Sequence, residues 1–149
     1  MTRGARVYLR NGVWLVGPLS PTRTGPFVAT QPYVELPPST TYRELAEEVR
    51  VALSHSQVIP DIDFRDPNRK NKLSPILKAA GVRSWTALQK GAKLVSLRAT
   101  DEEILLSPSV NEGGRNGFSP LAEATITLPA TSTLEELSEA LRQAFVACR

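Results

Sequence analysis

Cysteine and histidine are almost absent from this chain. Its 149 residues hold one of each, Cys148 and His55, so neither a disulfide framework nor a zinc site built from cysteine and histidine can form. Long apolar runs are missing too. No window approaches the roughly 18 to 20 apolar residues that cross a bilayer, and the opening MTRGARVYLRNGVWLVG holds no stretch of signal-peptide length. The expected location is therefore the cytoplasm. What is present is ordinary for a folded soluble chain, with 41% apolar and 22% charged residues. The length suffices to bury a core without covalent staples, and one domain over 1–149 is expected.

The net charge of +3 hides a marked asymmetry. Residues 65–98 carry nine basic side chains against the single acid Asp66, a balance of +8, whereas the remainder sums to −5. A basic middle between acidic ends is read first as solvated surface and second as an anion-binding face.

The chain also repeats itself. Val34 to Glu47 (VELPPSTTYRELAE) returns as Ile126 to Glu139 (ITLPATSTLEELSE). Further up, Phe27 matches Phe118, Gly17-Pro18 matches Ser107-Pro108, and Gly4-Ala5-Arg6-Val7 matches Gly91-Ala92-Lys93-Leu94, at a spacing that drifts from 87 to 92. Two copies are expected, over 4–56 and 91–148, around an insert at 57–90.

Each copy reads as β-β-β-α. Arg6 to Leu9 and Val13 to Val16 flank Asn11-Gly12, a type I′ hairpin signal, and Tyr33 to Leu36 form a third strand ended by Pro37. Thr41 with Glu44 is a capping box, repeated by Thr133 with Glu136, and apolar residues recur at helical spacing behind both. The second copy has strands near 93–97, 103–106 and 125–128. The fold expected is α+β, a mainly antiparallel sheet of six strands with two amphipathic helices packed on it. In the insert, Ser74-Pro75 and Ser84 start two short helices that stop at Gly81 and Gly91, with Trp85 expected to anchor them on the sheet.

Few residues offer chemistry. His55 closes the first long helix, where its charge suits the dipole, and Cys148 sits in the last turn of the second, read as a buried small apolar residue. Asp61, Asp63 and Asp66 lack the glycine and closing glutamate of an EF-hand loop. The stretch 111–118 has three glycines and Arg115 but not the Lys-Ser/Thr ending of a phosphate loop, and is read as a turn. SPILKAAGVRSWTALQKG resembles a helix-turn-helix within the basic region, which makes Lys70, Lys72, Arg83 and Lys90 the candidates for a nucleic-acid-binding alternative. No catalytic, cofactor or metal site is expected.

GARVY, VELPPSTTYRELAEEVRVAL, AAGVRSWTALQKGAKLVSL and GGRNGFSPLAEATITLPATSTLEELSEALRQAF together resemble the immunity proteins of contact-dependent growth inhibition, the CdiI type. The resemblance runs over nearly the whole chain. It implies a small cytoplasmic bacterial protein that binds the C-terminal toxin domain of a CdiA-type effector, in some members a ribonuclease A-like nuclease, and acts by stoichiometric occlusion rather than turnover. A nuclease groove is generally positive, so exposed acids are the expected contacts: Asp61, Asp63, Asp66, Asp101, Glu102, Glu103 and Glu112.

Overall fold

The computed structural model describes residues 1–62 and 74–149. In chain order the elements are β1 (Arg3–Arg10), β2 (Val13–Pro21), β3 (Phe27–Ala29), β4 (Val34–Leu36), α1 (Tyr42–His55), α2 (Pro75–Ala80), α3 (Trp85–Gln89), β5 (Lys93–Ala99), β6 (Glu103–Asn111), β7 (Phe118–Pro120), β8 (Ile126–Pro129) and α4 (Leu134–Ala147). The strands form one antiparallel sheet ordered β3-β2-β1-β5-β6-β7, with β4 also on β2 and β8 also on β6. The α+β class is the one expected. Asn11 and Gly12 both take positive φ, 52° and 76°, as a type I′ turn demands.

Eight strands replace the expected six, and prolines account for the difference. Pro18 lies between the part of β2 that pairs with β4 (14–16) and the part that pairs with β3 (19–21). Pro108 occupies the same gap on β6, between the partners of β8 (103–106) and of β7 (109–111). An N–H is dispensable where the outer edge changes partner, so a proline is tolerated inside each long strand. Its carbonyl is still used: Thr30 donates to that of Pro18 (3.2 Å) and Leu121 to that of Pro108 (2.9 Å).

Register also fixes how the halves correspond. Ala5 faces Pro18 and Val95 faces Pro108, so matching strand residues stand 90 positions apart rather than 87. The spacing of 87 would equate Val7, under the long helices, with Leu94, on the opposite face.

Strand alternation sends Ala5, Val7, Trp14, Val16, Val95, Leu97 and Leu106 to one face of the sheet. There α1 and α4 bury Leu45, Val49, Leu137, Leu141 and Phe145, each worth about 1.5–3 kcal/mol in removed apolar surface. Trp14 meets Tyr42 and Phe145 edge-on, with ring centroids 5.7 and 4.9 Å apart. Both capping boxes form in full, and Arg43 pairs with Glu135 where the helices meet.

On the second face, Ile76 and Leu77 of α2 and Leu88 of α3 pack on Tyr8, Leu15 and Leu94. Trp85 does not anchor the insert, for it is 49% exposed while Leu88 is 1% exposed. A helix of five residues has little more than one turn, and Leu88 takes the position facing the sheet.

Candidate interaction surface

Helices α2 and α3 cover only part of the second face. Along β1, residues 4, 6 and 8 point to it. Tyr8 lies between Leu15 and Leu94 and is buried. Arg6 lies between Gly17 and Ser96, and Gly4 between Leu19 and Arg98, with Leu105 beyond Arg98. Arg6, Ser96, Arg98 and Leu105 are all half-buried.

The correspondence between halves makes the uncovered part informative. Arg98 occupies in the second half the place that Tyr8 holds in the first. Phe27, opposite Pro21, is likewise the counterpart of Phe118, opposite Asn111. Near the insert, Tyr8 and Phe118 form an edge-to-face pair at 6.1 Å. At the equivalent site beyond α2 and α3 the guanidinium of Arg98 stacks 3.7 Å from the centroid of Phe27.

Glycine makes that stacking possible. A Cβ on Gly4 would sit 3.0 Å from Nη1 of Arg98 and 2.9 Å from Cβ of Leu19. Arg6 donates from Nη1 to the Tyr8 hydroxyl at 3.4 Å, and burial pushes that hydroxyl's pKa up, keeping it neutral. Burial first, and the like charge of Arg6 second, pull the Arg98 pKa below its usual range. Among the described residues, Nε of Arg6, Nε of Arg10 and Nη1 of Arg98 are buried without a hydrogen-bond partner. The ion pairs among those residues lie on α1 and α4, and none reaches these arginines.

A cleft of about 420 Å³ opens beside Arg6, lined also by Tyr8, Trp85, Leu88, Arg115 and Phe118. Asn111 fixes its rim. Its Nδ2 donates to the carbonyls of Gln89 (2.7 Å) and Ala92 (2.9 Å), while its Oδ1 accepts from Gln89 Nε2 (3.0 Å) and from the Gly113 N–H (2.9 Å). Gly113, Gly114 and Gly117 then turn at positive φ and carry the exposed Arg115 to the mouth.

The acids singled out from sequence do not form one patch. Asp101, Glu102 and Glu103 stand at the β5–β6 turn, and Asp61 lies near the same end of the sheet, where it accepts from Thr24 N–H (2.9 Å) and Thr24 Oγ1 (3.0 Å). Glu112 follows the far end of β6, about 27 Å away at strand rise. Asp63, Asp66, Lys70 and Lys72 lie outside the described residues; Arg83 and Lys90 are exposed at the ends of α3. No local sequence pattern groups Arg6, Arg98 and Phe27; strand register does.

Cys148 is buried, its Sγ sits 3.5 Å from the Leu94 carbonyl, and burial pushes the thiol pKa up. Its counterpart Ser56 bridges two strands, donating to the Leu19 carbonyl (2.6 Å) and accepting from the Gly4 N–H (3.0 Å). His55 is exposed on the last turn of α1. No three His, Cys, Asp or Glu side chains group as a metal site among the described residues, and no described helix is long and apolar enough to cross a membrane.

Two solved structures share this architecture. A protein of unknown function from Neisseria meningitidis superposes with a TM-score of 0.81 at 19% identity, covering 100% of this chain and 96% of its own. A CdiA-CT/CdiI toxin and immunity complex from Yersinia pseudotuberculosis gives 0.77 at 20% identity, with coverage of 100% and 98%. No curated protein sequence matches the chain. The family model of the CDI immunity proteins, CdiI, matches residues 4–148. From Gly4 to Cys148, therefore, the chain belongs to the CdiI family of CDI immunity proteins.

Proposed function

We propose that this protein protects its cell by binding the C-terminal toxin domain of a cognate CdiA effector one to one and covering the surface through which that toxin acts. The observation that carries the reading is the family match over residues 4–148. The shared fold of the Yersinia pseudotuberculosis toxin and immunity complex supports it. Action in the cytoplasm and the absence of turnover belong to the same proposal. Cys148, the one thiol, supports occlusion over catalysis, since it is buried against a backbone carbonyl with its pKa raised. Asp61, Asp101, Glu102 and Glu103, at one end of the sheet, are proposed contacts for basic toxin side chains such as those lining a nuclease groove.

Co-expression tests the reading. Cells making a cognate CdiA toxin domain are expected to survive only with this protein present, and the purified pair to elute as a 1:1 complex. Cell death despite full expression, with no complex, would overturn it. Charge reversal at the four acids is expected to weaken the complex about tenfold or more, and unchanged affinity would remove them as contacts.

A further inference from the structure

We infer that the part of the second sheet face that α2 and α3 leave open around Arg6 and Arg98 is the docking site for an acidic segment of the toxin domain, with Arg6 and Arg98 taking its carboxylates, Arg115 at the rim and Trp85 packing alongside. This rests on the immunity reading above and assigns its interface the opposite polarity from the acidic end of the sheet.

Three independent observations converge. The first is unmet donor capacity: buried nitrogens of Arg6 and Arg98 have no partner among the described residues, and no described carboxylate lies in ion-pair range. A guanidinium with unpaired inward nitrogens is costly to bury, and a carboxylate that reaches the outer side of these half-buried groups supplies charge-assisted bonds that offset the cost. The second is like charge held close. Arg98 lies close enough to Arg6 that, after burial, the like charge of Arg6 is the second cause of its lowered pKa, a repulsion that an arriving anion relieves.

The third is the comparison between halves. Where α2 and α3 cover the sheet, the position is filled by Tyr8 against Phe118; where those helices do not reach, Arg98 lies on Phe27. Stacking on Phe27 over Gly4 holds the guanidinium in one orientation before any partner arrives, which lowers the ordering cost of binding. Beside Arg6, on the side toward Tyr8 and Phe118, the cleft of about 420 Å³ is lined by the exposed Trp85, and arginine and tryptophan are the side chains that most often dominate interface energies.

The experiment is calorimetric titration of the full-length protein with its cognate toxin domain at two salt concentrations, alongside thermal unfolding. Arg6→Met/Arg98→Met is expected to lose about a hundredfold in affinity and much of the salt dependence, with Tm unchanged or higher once the repulsion is gone. Affinity within about threefold of the parent would overturn the inference. If the double variant fails to fold, Arg115→Glu and Trp85→Ala, both at exposed positions, are each expected to weaken binding about tenfold; parental affinity in both would overturn the site. Failure of the parent protein to bind or rescue would defeat the immunity reading itself, whereas rescue by the parent and by every variant alike would defeat only this assignment.

Discussion

The two ends of the second sheet face are built from matching strand positions and yet differ in every property that matters for recognition. At one end Tyr8, Leu15 and Leu94 are sealed under Ile76, Leu77 and Leu88. At the other, Arg98 and Leu105 stand half-buried, with Arg98 stacked on Phe27. The strands are equivalent, but α2 and α3 occur once and pack over only one of two similar surfaces. A tyrosine is suited to the closed end because its ring fills volume and its hydroxyl finds Arg6. An arginine is suited to the open end because its head needs water or a partner.

The sharpest way to break this contrast is to exchange the two residues. Tyr8→Arg places an unpaired charge beneath α2 and α3 and is expected to cost about 3–5 kcal/mol in urea unfolding. The reciprocal Arg98→Tyr is expected to cost about 1 kcal/mol or less. Equal losses would mean that the two ends are closed alike. Next in size is the matched pair Leu15→Ala and Leu105→Ala. Leu15 is 4% exposed and should lose about 2–4 kcal/mol, while half-buried Leu105 should lose about half of that or less.

Where the halves do agree, substitutions should agree too. Thr41→Ala and Thr133→Ala each remove the N-cap of a full capping box and are expected to cost about 1 kcal/mol apiece, differing by a few tenths. The smallest effect belongs to Glu139, whose carboxyl is held at about 2 by hydrogen bonds from Arg142 first and Gln143 second, on an exposed surface. Because the folded value lies below the unfolded one, the pair's contribution is complete above the ordinary carboxylate range and fades as pH falls toward 2. Glu139→Gln should therefore leave Tm almost unchanged at pH 7, and any difference should vanish in acid.

The sequence disclosed the long helices because caps and periodicity are local: Thr41, Glu44 and the stripe through Leu45 and Val49 lie within nine positions. It did not disclose β3 and β7, since three-residue strands have no period and exist only through pairing with β2 and β6. Trp85 misled for a related reason, as size marked it for the core while the geometry of a one-turn helix gave that place to Leu88. Arg98 was hidden most deeply. In the chain it closes a basic run that reads as solvated surface; only the sheet sets it over Gly4 and against Phe27, 71 positions away.

Alternation along the strands has one more outcome. The residues that hold α1 and α4 and those that carry the arginine cradle sit on opposite sides of the same backbone. A lineage can thus rewrite the cradle to follow a changing adversary while the scaffold beneath it stays intact, and resistance can diversify without each new version having to solve folding again.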